Sequence, residues 1–149
     1  MTFRILALSF ADAETARLDG GAYARSCIAD SPTGYPCRVS LVHARPGERV
    51  HLFNYRHHDA RTPYWASYAT YVREGAQQAR LAVGEVPEVI ACRTVSLRAY
   101  DEEGVLGSAE LSAGSLAAEA IDRLLGAGNQ TVHIHNAAYG CYLARAVPA

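Results

Sequence analysis

Apolar and polar residues alternate with a period of two along residues 131–137, where Val132 and Ile134 are interleaved with Thr131, His133 and His135. A strand with that period sends Val132 and Ile134 into a core. His133 and His135 then leave together from the opposite face, beside Asn136 and near Cys141. The same period marks residues 93–100, with Val95, Leu97 and Ala99 inward. Asp101-Glu102-Glu103-Gly104 reads as the turn joining that strand to a partner at 105–111. Residues 37–43 and 49–55 alternate around Arg45-Pro46-Gly47-Glu48, where proline followed by glycine suits a tight turn, and so predict a second hairpin. In regular register Val39, Leu41, Val50 and Leu52 share its core face, and Arg38, Ser40, His51, Phe53 and Tyr55 share the other.

Elsewhere the pattern changes. Residues 3–10 read as a first strand and 12–18 as a short helical or irregular turn. Residues 56–69 form a long polar and aromatic connection in which His57-His58-Asp59 is expected to be solvated. A short strand is expected at 71–73, a loop at 76–84 and one helical turn at 87–92, opened by Pro87. Residues 116–125 have helical spacing, with Ala117, Ile121, Leu124 and Leu125 as the apolar stripe and Ser115 as cap. Glu119 and Arg123 stand at ion-pair spacing on it, and Gly126 and Gly128 end it. A last strand follows at 141–147. The sum is an α+β fold, a single domain over 1–149, with a mainly antiparallel sheet and one principal amphipathic helix packed on one face. A single helix covers one face only, so the other must meet solvent, a loop layer, a second subunit or a ligand.

Composition narrows the function classes. At 149 residues, 50% hydrophobic and 19% charged, the chain is of ordinary globular type. A net charge of −1 gives no bulk attraction to nucleic acid or to anionic membrane. All 14 basic residues are arginine, which excludes lysine chemistry and makes every cation a planar fork suited to carboxylate or phosphate. No segment has the length and apolarity of a membrane span. Arg4, a short apolar run and Ala11-Asp12-Ala13 imitate a signal peptide, but the run is short and broken by Ser9, which favours a strand and a cytoplasmic address. Cys27, Cys37, Cys92 and Cys141 are scattered, with no CxxC pair, and read as reduced, small buried hydrophobes.

Candidate chemistry gathers on the face opposite the helix. Under the expected register it carries Arg38, Arg98, Tyr100, His133 and His135, with Asn136 beside them and no acid, a bias towards an anion. Catalytic patterns are weaker. His133 and His135 lack the nearby glutamate of a cupin metal site, and Ala137 stands where a histidine-triad hydrolase would have its third histidine. Zinc held by His133, His135 and a distant Cys37 or Cys141 lacks a defined third ligand, so no metal and no cofactor is assigned. Cys37 or Cys141 beside His135 would make a nucleophile pair, which leaves His133, His135, Cys37 and Cys141 as the catalytic candidates. Residues 64–68, Tyr-Trp-Ala-Ser-Tyr, read as a lid over the sheet end or as one wall of a pocket.

Six segments in order carry a resemblance: GYPCRVSL, GERVHLFNY, YVREG, GEVPEV, LRAYD and HIHNAAYGCY. Together they resemble a family of bacterial proteins known only as a domain of unknown function, over nearly the whole chain after about Asp30. The resemblance implies a bacterial single-domain protein and places Cys37, Arg38, Arg98, His133, His135, Asn136 and Cys141 inside the shared segments. It brings no activity with it.

The leading expectation is a cytoplasmic protein that binds a small anionic ligand, with Arg38 and Arg98 as cations and His133 and His135 as donors or acid–base groups. A non-catalytic interaction protein, acting as a homodimer, is the second reading. A thiol- or zinc-dependent enzyme is the third. Neither nucleic acid nor membrane is expected as a partner. If the thiols are reduced in the native protein, adding reductant leaves the melting temperature unchanged. Loss of a native disulfide would instead remove about 2–5 kcal/mol and lower it by many degrees.

Overall fold

Most segments with a clear period form the element that their period requires. The computed structural model describes residues 2–20 and 23–149. The elements are β1 (Phe3–Leu6), α1 (Phe10–Asp19), β2 (Arg25–Ile28), β3 (Arg49–His58), β4 (Ala66–Arg73), α2 (Glu88–Ala91), β5 (Thr94–Tyr100), β6 (Leu106–Ala113), α3 (Ala117–Gly126), β7 (Thr131–Asn136) and β8 (Tyr142–Pro148). They make two antiparallel sheets, one in the order β1-β8-β7-β5-β6 and the other β2-β3-β4. This is the expected α+β class, with α3 as the amphipathic helix. Among the described residues no helix is long and apolar enough to cross a membrane.

The main core lies between α3 and the five-stranded sheet. Helical spacing puts Ala117, Ala120, Ile121, Leu124 and Leu125 on one side of α3, and strand alternation puts Val95, Leu97, Val132 and Ile134 on the facing side of the sheet. All nine are buried there. A second cluster, built on Leu8, Ala13, Cys37, Val39, Phe53, Val72 and Ala76, joins α1 to the three-stranded sheet.

Several expectations fail for identifiable reasons. Residues 37–43 are not a strand. Both edges of β3 are taken, by β2 and by β4, so no edge remains for them to pair with. They form a turn instead. Leu41 N–H donates to the Cys37 carbonyl at 2.9 Å, Leu41 has a left-handed φ of 53°, and one isolated bridge joins Pro36 to His43. Val39 and Leu41 are still buried, but in different clusters, while Leu52 is only half-buried. The strand at 3–10 stops at Leu6, because Ser9 caps α1 by accepting from Asp12 N–H at 3.1 Å. Ser115 caps nothing; a 3-10 turn at Gly114–Leu116 leads into α3, whose Arg123 pairs with Glu110 at 2.7 Å rather than with Glu119. Trp65 and its neighbours are not a lid: Tyr64, Trp65 and Tyr68 are exposed, and the Arg56 guanidinium lies 4.3 Å over the Trp65 ring.

The packing of α3 predicts a contrast. Leu124→Ala removes a buried side chain and lowers stability by about 2–5 kcal/mol. Glu119→Ala removes a side chain without an ion-pair partner and costs a few tenths of a kcal/mol at most. Urea unfolding of the two variants measures both.

Candidate functional site

The face of the five-stranded sheet that points away from α3 is not open. Period two sends His133 and His135 of β7 to that face as expected, and cross-strand pairing sets Arg98 opposite His133. The last turn of β3 lies across them. A register irregularity between Tyr55 and His58 lets β3 run on to His58, through residues expected to form a solvated connection. His57 and His58 are therefore packed inward. The result is a layer of imidazole and phenol rings between the two sheets. His57 lies 4.9 Å from His135 and 5.9 Å from His133, ring centre to ring centre, and stacks on Tyr142 at 5.1 Å. His58 stacks on Tyr100 at 4.0 Å and meets His133 edge-on at 5.1 Å. His58, His133, His135, Tyr100 and Tyr142 are all buried, and His57 is half-buried.

Burial settles the charge state. Desolvation pushes His133 down to about 2, helped by the nearby His58, His135, His57 and Arg145. It pushes His135 down to about 3 against the opposing pull of the Gly140 carbonyl, and His57 to about 4, with Arg98 adding to it. These histidines are neutral at pH 7, so they are not the cations that the anion reading wanted.

Their lone pairs are also placed. The His135 Nδ1 lies 2.9 Å from the Gly140 carbonyl. A carbonyl only accepts, so in the neutral ring Nδ1 carries the proton and Nε2 is a bare lone pair. In the same way His58 Nε2–H donates to the Gly104 carbonyl at 2.9 Å. Gly104 sits there at φ +82°, with no room for a Cβ against Ala60 and His58. Among the described residues four buried ring nitrogens have no hydrogen-bond partner: His43 Nδ1, outside this layer, and within it His57 Nδ1, His133 Nδ1 and His135 Nε2. One donor nitrogen from each of the same three rings lies within 4.8 Å of the others. Around tetrahedral zinc such nitrogens stand about 3.3 Å apart, so modest ring rotations close the set. His57 and His133 also border an open cavity of about 600 Å³.

The remaining sequence candidates separate from this cluster. Neither Cys37 nor Cys141 joins it, so the third nitrogen donor is His57 instead of a thiol. The Cys37 sulfur is buried and accepts from Arg73 N–H at 3.3 Å, a structural role. All four cysteines are free. Asn136 closes a turn, its Oδ1 accepting from Ala138 N–H at 3.0 Å. Tyr100 belongs to the ring layer. Arg98 is half-buried on the expected face, its Nε 3.4 Å from Ser96 Oγ. Arg38, drawn beside it by parity, comes instead from the 37–43 turn and is 2% exposed, donating to the Pro36 and Tyr142 carbonyls at 2.7 and 2.9 Å. His57 was the residue that sequence reasoning missed. No period marked it, because residues 56–59 are polar throughout and the register irregularity between Tyr55 and His58 breaks the alternation of β3.

A protein-family model described as "Protein of unknown function (DUF1203)" matches residues 34–147. No curated protein and no solved structure matches the chain.

Neutral buried histidines make stability depend on acid. The unfolded chain takes up protons below about pH 6.5, while the folded chain refuses them until far lower pH, so stability falls as pH drops through that window. With chelator present, His133 and His135 each add a slope approaching about 1.4 kcal/mol per pH unit between about pH 6 and 4. His133→Gln flattens the measured slope by about one such step. An unchanged slope would mean that His133 is solvated.

Proposed function

The chain belongs to this family of unknown function, and we propose that it is a metal-dependent protein whose centre is built from His57, His133 and His135. The observation that carries this reading is the coincidence of three unpartnered, buried ring nitrogens with the one group of three close donor side chains found among the described residues. A buried polar atom without a partner is costly, and one Lewis acid held by these three rings would account for it in all of them. Neutral imidazoles need lose no proton to bind it, and the Gly140 carbonyl already holds His135 in the ligating tautomer.

An all-nitrogen set suits zinc and its transition-metal neighbours and does not suit magnesium or calcium. Three protein ligands leave a fourth position. His57 and His133 border the cavity of about 600 Å³, so a position left open on that side would face space for a substrate. Zinc so held supplies a water that ionises near neutral pH, the chemistry of metal-assisted hydrolysis. The proposal therefore favours the zinc-dependent enzyme over the interaction protein, without a thiol ligand. Four free cysteines support a reducing, cytoplasmic setting for it.

Metal analysis of the protein purified without chelator tests the reading. The expected result is about one zinc or similar ion per chain and a melting temperature that falls on chelation and recovers with zinc. His57→Gln, at the exposed edge of the layer, keeps the fold and loses the metal. Absence of metal uptake by the folded wild-type chain, with melting insensitive to both chelator and zinc, would reduce the ring layer to a packing device.

A further inference from the structure

Arg38 poses a problem that the histidine centre does not solve. It is among the largest fully buried side chains, and its guanidinium is permanently charged. A buried charge is ordinarily paired with an opposite one. Among the described residues no carboxylate lies within ion-pair distance of Arg38, and its two hydrogen bonds go to the main-chain carbonyls of Pro36 and Tyr142.

A neighbouring charge of the same sign makes matters worse. Arg93 lies close enough to oppose the charge on Arg38, has no ion-pair partner either, and keeps its Nε buried without a hydrogen bond. Both arginines line one cavity of about 410 Å³, separate from the space beside the histidines. Its other walls include Tyr68, Tyr71, Tyr139 and Leu52, and no acidic residue lines it. Two forked cations, a polar amide from Asn136 and three phenol rings therefore surround one space.

We propose that this cavity is a binding site for a small organic anion, a carboxylate or a phosphate ester, whose charged group sits between Arg38 and Arg93 and whose apolar body packs on the tyrosines. Two guanidinium groups grip such an anion in several places at once, and its charge neutralises the repulsion between them. The volume suits a molecule of metabolite size. The anion expected from the sequence is thus retained, but its site moves. Arg93 takes the place of Arg98, and the tyrosines take the place of the histidines.

The test is binding to the full chain, followed by thermal shift and calorimetry, with phenyl phosphate, benzoate, inorganic phosphate and the neutral analogue benzamide. Phenyl phosphate or benzoate is expected to raise the melting temperature and to bind more weakly as salt increases, and benzamide to do nothing. Inorganic phosphate alone, matching the organic anions, would remove the apolar body from the proposal and overturn that part of it. Arg93→Gln is half-buried and outside the main core, so it folds, and it weakens binding about 10- to 100-fold. Tyr71→Ala weakens the organic anions and spares inorganic phosphate. Arg98→Gln and His57→Gln leave anion binding unchanged, which keeps this site's outcome independent of the metal centre. No shift with any anion, or equal binding by wild type and Arg93→Gln, overturns the proposal.

Discussion

The laying of the β3 end across the polar face of the five-stranded sheet is the contact on which the rest depends. Without it, β7 would be an ordinary half-buried strand with two wet histidines. With it, both faces of β7 are buried, and residues 132–136 are all inaccessible to solvent. Desolvation then follows for His57, His133 and His135, and with it neutrality. Six aromatic or imidazole rings fill the gap because flat rings stack and meet edge-on within 4–6.3 Å without needing charge. The polar atoms that remain are held by main-chain carbonyls at Gly104 and Gly140, two glycines in turns, or have no partner among the described residues.

The charges are sorted to either side of this layer. The histidine cavity is bordered by Asp59, Asp101, Glu102 and Glu103 as well as by Arg56 and Arg145, so it is mixed in sign. The Arg38 cavity has arginines alone. A neutral nitrogen-donor centre and a cationic pocket thus occupy different spaces in a chain of about 16 kDa. On the two proposals, an anion drawn by long-range charge would be steered to the second space, and a transition-metal cation would be bound through lone pairs in the first.

Tyr142 and the turn before it connect the two. The Tyr142 carbonyl accepts from Arg38 Nε, while its ring stacks on His57. The turn is closed by Asn136 N–H donating to the Cys141 carbonyl at 2.8 Å and by Gly140 N–H donating to the Asn136 carbonyl at 2.8 Å. Its Gly140 carbonyl orients His135, and its Asn136, Tyr139 and Cys141 wall the Arg38 cavity. The segment HIHNAAYGCY accordingly contributes to both spaces, through alternate residues of the strand and through the turn that ends it.

Local periodicity determined much of this protein. Alternation placed Val95, Leu97, Val132 and Ile134 on the core side and His133 and His135 on the other, and helical spacing placed Ile121, Leu124 and Leu125 on the buried side of α3. These follow from the geometry of one element, so the sequence alone suffices for them. The partner of β3, the burial of His57 and the position of Arg38 did not follow. Residues 37–43 alternate like a strand, but whether a strand forms there depends on a free sheet edge, and β2 and β4 leave none. His57 lies in a polar run whose environment is set by a second sheet folding over from elsewhere in the chain. Arg38 is far in sequence from Arg93 and Tyr142, and only the tertiary fold brings the three together. Which faces are apolar is a property of neighbours along the chain. Which polar groups are forced to share a buried space is decided by the packing of one sheet on another.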